Sequence, residues 1–131
     1  MNKVVEAIKA VGVFYVATMD GDSPRVRPFS SVTEYEGHVY MCCGNYKEVY
    51  RQLSANPRLE LCGMCGETSW LRVSAVAVED DRIEVQQAML ADPTGPSQLY
   101  KAGDGRFVTY RLEDVRAVRY SFFAPPEVIA E

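Results

Sequence analysis

Residues 13–35, VFYVATMDGDSPRVRPFSSVTEY, decide the class of fold. Two runs rich in Val, Thr and aromatic residues flank DGDSP (20–24), a break dense in Asp, Gly and Pro that suits a tight turn. A shorter break, EG (36–37), leads into HVYMCC (38–43). Connections this short cannot hold the crossover that parallel strands need, so 13–19, 25–35 and 38–43 read as three consecutive strands of an antiparallel meander.

Upstream, NKVVEAIKAV (2–11) sets Val4, Val5, Ile8 and Val11 on one helical face, with Asn2 as the cap and Gly12 closing the helix. Downstream of Gly44 the period changes. Val49, Tyr50 and Leu53 fall at helical spacing, and the segment 46–55 stops at Asn56-Pro57. RLELCGMC (58–65) and SWLRVSAVAVEDD (69–81) read as strands, 82–91 as a second inserted helix, and Pro96 marks a third helical start. FVTYRLE (107–113) and VRAVRYSFF (115–123), joined at Asp114, read as a closing hairpin. Strands with helices inserted between them predict a mainly β fold, an antiparallel barrel with two to three added helices. The hairpins and the absence of a GxGxxG run argue against a doubly wound parallel sheet.

A chain of 131 residues suits one domain spanning 1–131, and its 47% apolar content is enough for a single core. The net charge of −4 argues against a nucleic-acid partner, which normally requires an excess of Lys and Arg on one face. Apolar runs such as VGVFYVATM (11–19) fall far short of the roughly 18 residues of a membrane helix. The expectation is a cytoplasmic protein with neither a membrane nor a nucleic-acid partner.

Four cysteines raise the question of a metal. CGMC (62–65) has zinc-ligand spacing, but vicinal Cys42 and Cys43 on an extended segment point to opposite faces, so at most one could join that pair. Buried free thiols are the better reading, with no metal site. The turn after them, GNYK (44–47), opens a helix, and there backbone N–H groups, the positive end of the helix dipole and the Lys47 ammonium converge as an anion cradle. Arg27, on a neighbouring strand, can add a forked pair of charge-assisted hydrogen bonds. The sole histidine, His38, follows a turn and reads as an exposed loop residue.

The order of FYVATMDGDSPRVRPFSSV, YMCCGNYKEVYRQLSANPRLEL and SWLRVSAVAV resembles the pyridoxamine 5'-phosphate oxidase-like family of FMN-binding split barrels, in its short flavoprotein branch. The resemblance runs from about residue 3 to 120. It implies an antiparallel split β-barrel of six to seven strands that forms a homodimer, with FMN held in grooves between the subunits. The family's arginine-led strand motif falls on Arg27, Pro28, Phe29 and Ser30, and continues through Ser31 and Val32. Its phosphate-binding block, hydroxyl residues followed by a lysine at a helix start, falls on Cys42, Cys43, Asn45, Tyr46 and Lys47. The ring-contacting position of the long central strand falls on Trp70. The chain departs from the family at Cys42 and Cys43, where Ser or Thr is usual, and a thiol is a poorer donor to phosphate than a hydroxyl.

The implied function is that of an FMN-dependent oxidoreductase acting on a small molecule by hydride transfer at flavin N5, and such a site requires no Ser-His-Asp or paired-carboxylate arrangement. Pyridoxamine phosphate oxidation is not expected. The larger family members place a lysine where this chain has Val32, and the tail VRYSFFAPPEVIAE lacks their histidine. Tyr120, Phe122 and Phe123 are candidate walls for a substrate. Alternatives are a non-catalytic FMN-binding or redox-sensing protein using Cys62 and Cys65, or a split barrel that binds deazaflavin or haem.

Overall fold

The structure is a computed structural model that describes residues 2–131. The elements run α1 (Lys3–Val11), β1 (Phe14–Asp20), β2 (Ser23–Phe29), β3 (Thr33–Tyr35), β4 (His38–Gly44), α2 (Glu48–Ala55), β5 (Arg58–Met64), β6 (Ser69–Glu79), α3 (Ile83–Ala91), β7 (Phe107–Ser121) and β8 (Glu127–Ala130). All eight strands join one antiparallel sheet in the order β2-β1-β5-β6-β7-β4-β3, with β8 also on β7. The two ends of this path, β2 and β3, do not pair with each other, which leaves the barrel split.

Local chemistry accounts for the helix ends. The Asn2 side chain accepts from the N–H groups of Val4 at 2.8 Å and Val5 at 3.2 Å, and Gly12 takes the left-handed φ of 84° that terminates α1. The apolar face of α1 then closes the main core with Phe14, Val16, Leu61, Leu71 and Val73. α3 covers a second, smaller cluster through Val85 and Met89, which pack on Tyr40, Tyr100 and Phe107. Cys42 lies in this second cluster and Cys43 in the main one, so the adjacent thiols do face opposite sides of β4.

Several sequence expectations are corrected. The run 25–35 is not one strand of a meander. It breaks at Ser30–Val32, after which β3 pairs with β4 at the opposite end of the sheet path from β2. The cause is a side chain that replaces a strand partner: the Val32 N–H donates to the Thr94 hydroxyl at 3.0 Å, and the same hydroxyl lies 2.9 Å from the Val32 carbonyl. Residues 107–121 form one strand rather than a hairpin. Asp114, at φ 51°, sits in a bulge where the register against β6 shifts between Ser74 and Val76. The half before it pairs with β4, and the half after it with β8. The sheet has eight strands rather than six to seven, and Glu127–Ala130 adds one to β7 after the Pro125-Pro126 pair. No helix starts at Pro96, where the chain makes a turn with the Leu99 and Tyr100 N–H groups donating to the Pro96 carbonyl.

Candidate functional site

A cleft of about 220 Å³ opens where the end of β2, the end of β4 and the start of α2 meet the 96–100 loop. It gathers Arg27, Pro28, Phe29 and Ser30 from one side and Cys42, Cys43 and Lys47 from the other, closed by Pro96, Leu99 and Tyr100.

Arg27 is the more constrained of the two cations in the cleft. Its Nη1 donates to the Val16 carbonyl at 3.1 Å and to Thr18 Oγ1 at 2.7 Å, and its Nη2 donates to Gln52 Oε1 at 2.6 Å. Thr18 and Gln52 are each only 3% exposed, and the Thr18 hydroxyl also donates to Gln52 Oε1 at 2.6 Å. Every acceptor around the guanidinium is therefore neutral. Burial lowers the Arg27 pKa from its ordinary value, but a guanidinium stays charged at any physiological pH. Among the described residues no carboxylate lies within 4.0 Å of Arg27 or Lys47. Two uncompensated positive charges thus share one cleft.

Lys47 occupies the N-cap position of α2 without capping it by its side chain, so the ammonium stays exposed beside the positive end of the helix. The glycine before this turn is dictated by space. A Cβ on Gly44 would collide with the Tyr46 ring and come within 2.5 Å of the Tyr100 hydroxyl.

The thiols contribute little charge. Burial pushes Cys42 up to about 12 and Cys43 up to about 11, so both stay protonated at neutral pH. The Cys43 thiol, which lines the cleft, donates to the Tyr110 hydroxyl at 3.8 Å. Ser31 spends its hydroxyl on the Thr94 carbonyl at 2.5 Å. Exposed Ser30 has no protein partner among the described residues and remains a free donor at the rim. A forked guanidinium, an ammonium, a helix start and one hydroxyl suit the phosphate dianion of FMN. Arg27 and Lys47 would hold it, and the neutral thiols neither repel it nor bind it strongly.

Three predicted residues stand elsewhere. Asn45 and Tyr46 do not line the cleft. The Asn45 amide nitrogen donates to the Arg106 carbonyl at 2.8 Å, its side-chain Nδ2 donates to the Gly105 carbonyl at 2.9 Å, and the Tyr46 hydroxyl pairs with that of Tyr100 at 2.8 Å. They lock the turn that carries Lys47 to the 100–106 loop. Trp70 lies opposite Tyr120 in the β6–β7 register, whereas Gly44 pairs with Phe107 at the other end of β7. At about 3.3 Å per residue, those two points on β7 are roughly 40 Å apart along the strand. Within one chain Trp70 is not at this cleft. Its ring stacks on Tyr120 with centroids 5.6 Å apart and packs on Phe122 at 5.0 Å, so it joins the aromatic residues expected to form substrate walls.

Other candidates fall away or change meaning. Cys62 is exposed on the outer face of β5 opposite Arg72, while Cys65 packs back on the core, so the two thiols face different environments. His38 is exposed at the start of β4, outside the cleft. Among the described residues no group of three or more His, Cys, Asp or Glu side chains converges as a metal site would. Thr18, Gln52 and Tyr100 were not foreseen. Gln52 did carry a signal, since it sits beside Val49 and Leu53 on the buried face of α2, where a polar residue needs a partner.

Neither a protein-family model nor a curated protein matches the sequence. Solved structures do. A NimC/NimA family protein from Clostridium acetobutylicum is 36% identical, with a TM-score of 0.91 over 96% of this chain and 88% of that one. A pyridoxamine 5'-phosphate oxidase candidate from Listeria innocua shares 14% identity, with a TM-score of 0.68 over 88% and 94% of the two chains. A haem-binding protein from Mycobacterium smegmatis shares 16%, with a TM-score of 0.72 over 98% of this chain and 57% of that one. These last two share the fold. The clostridial likeness, which spans nearly all of both sequences, shows kinship, and the chain belongs to the NimC/NimA family within the pyridoxamine 5'-phosphate oxidase-like split-barrel superfamily.

Proposed function

We propose that this protein binds FMN by its phosphate and works as an oxidoreductase on a small molecule. One observation carries the reading: Arg27 and Lys47 meet in a single cleft with only neutral acceptors around the guanidinium. A charge held this way lacks a protein counter-ion, and a bound dianion supplies it. When bound, FMN supplies hydride transfer at N5. The chain's own part is to fix the phosphate with Arg27 and Lys47, to wall the site with Phe29, Leu99 and Tyr100, and to keep water from it.

A second copy of the chain completes the site in this reading. The cleft of about 220 Å³ is smaller than the roughly 300–1,000 Å³ of pockets that enclose a small molecule. Tyr15 on β1, Val26 on β2 and Met64 on β5 are 51%, 67% and 51% exposed and offer a surface for that copy to cover. Trp70 and its aromatic neighbours, remote from the cleft of their own chain, then serve the cleft of the partner.

The haem alternative is less well supported. The only histidine, His38, lies outside the cleft, which leaves no imidazole there to hold an iron. Pyridoxamine phosphate oxidation is not part of the proposal, because buried Val32 stands where a second cationic pocket would need a lysine. Four free cysteines favour a reducing compartment, consistent with the cytoplasm, and no described helix is long and apolar enough to cross a membrane.

Titration of FMN and of riboflavin, followed by flavin fluorescence, tests the reading. FMN is expected to bind at least tenfold more tightly than riboflavin, and light scattering is expected to give a dimer. Equal affinities for the two flavins, or no uptake of either, would refute it.

A further inference from the structure

A second cavity of about 280 Å³ adjoins the cleft, lined by Ser97, Gln98, Lys101, Asp104 and Arg106, and it shares the walls Leu99 and Tyr100. The charges around the two cavities are unusual for this chain. Of its 14 Lys and Arg residues, seven have a carboxylate within 4.0 Å among the described residues. Four of the other seven, Arg27, Lys47, Lys101 and Arg106, line these two adjoining cavities.

Lys101 and Arg106 are both exposed, but Arg106 is held in place. The Arg106 guanidinium lies over the rings of Tyr46, 4.9 Å from its centroid, and Tyr100, at 5.8 Å. Those rings are joined through their hydroxyls at 2.8 Å, and Tyr100 stacks on Phe107 at 5.1 Å. The Arg106 carbonyl is tied to the Asn45 amide nitrogen, which fixes the loop of Arg106 to the turn of Lys47. Asp104, the one acid of the cavity, is committed to the backbone. Its carboxylate accepts from the N–H groups of Lys101 at 3.0 Å, Arg106 at 2.8 Å and Phe107 at 2.8 Å.

We propose that Arg106 and Lys101 form a second anion subsite, and that the natural ligand carries a further anionic group beyond the phosphate held by Arg27 and Lys47. The inference rests on the flavin-phosphate reading. It narrows the ligand to a flavin-type phosphate extended by a second negatively charged group, such as a second phosphoryl. FMN alone leaves this subsite empty, so its affinity is independent of Arg106.

The test compares FMN, FAD and inorganic pyrophosphate on the full chain and on Arg106→Gln and Lys101→Gln. Lys101 is exposed, which keeps that variant foldable if loss of Arg106 disturbs the tyrosine pair. The expected result is that each substitution weakens FAD about tenfold and changes FMN less than twofold. FAD affinity unchanged in both variants, with FMN still bound, would overturn the second subsite and leave the flavin reading standing. If no flavin binds, pyrophosphate decides: binding that falls severalfold in both variants supports the paired anion sites without a flavin, and failure to bind overturns both.

Discussion

Two arginine clusters in this protein are built in opposite ways. Around Arg82 the cations have carboxylate partners, with Arg111 also 3.9 Å from Asp80. The Arg82 guanidinium meets the buried Asp80 carboxylate at 2.9 Å and Glu36 at 2.7 Å, and Tyr40 donates to Asp80 at 2.8 Å. The cluster ties α3 to β4 and to the turn before it, and nothing is left over to bind. Arg27 has a comparable set of hydrogen bonds, but all of its acceptors are neutral. The first arrangement fixes the fold, while the second fixes only the position of a charge and leaves the charge available. Geometry alone does not separate the two clusters; charge balance does.

The largest expected effect comes from removing the unmatched charge. Arg27→Gln should weaken FMN about 100-fold, from the loss of two charge-assisted hydrogen bonds at about 1.5 kcal/mol each, and leave riboflavin within twofold. Its folding stability should move by less than about 1 kcal/mol, because loss of a half-buried charge without a counter-ion offsets loss of its bonds to Val16, Thr18 and Gln52. A fall in stability with FMN affinity intact, measured by denaturant unfolding and fluorescence titration, would erase the contrast between the clusters.

Asp80→Asn should show the converse, a loss of about 1.5–3 kcal/mol in urea unfolding with FMN affinity unchanged. Lys47→Ala should weaken FMN about tenfold and move stability by less than about 0.5 kcal/mol, as expected of an exposed cation at a helix start. Gln52→Leu should weaken FMN about fivefold without touching the ligand, since it removes the 2.6 Å acceptor that orients Arg27.

The smallest effect separates the clusters by pH. Hydrogen bonds from Arg82 hold the Asp80 carboxyl down at about 2, below its usual 3.8. Its contribution to stability is therefore complete above pH 3.8 and is lost as pH falls through 2. The stability gap between wild type and Asp80→Asn should shrink over that interval. A gap that stays constant in acid urea titrations would show that the ion pair contributes nothing through Asp80.

The sequence was legible wherever a signal was local. The period of Val4, Val5 and Ile8 with the Asn2 cap marked α1, and DGDSP marked the β1–β2 hairpin. The turn into α2 marked Lys47, although the helix proper begins at Glu48. Errors occurred where a distant residue decided the outcome. RVRPFSSVTEY has strand composition throughout, yet Thr94, 62 residues away, captures the Val32 backbone and splits it. Asp114 looks like a turn residue, but the continuous β6 beside it turns the irregularity into a bulge. The site divides in the same way. Arg27 and Lys47 stood out by type and place, whereas Gln52 and Tyr100 matter only through what lies across from them.

Composition and local pattern by themselves determined an antiparallel β fold with inserted helices and a turn that sets Lys47 at the start of α2, because strand period, caps and charge are properties of short segments. Only the tertiary structure decided that β2 and β3 part to opposite ends of the sheet path, that Arg27 keeps its charge unmatched, and that Trp70 lies far along the sheet from the cleft. Those outcomes depend on which segments pair, and pairing is settled by contacts between residues tens of positions apart.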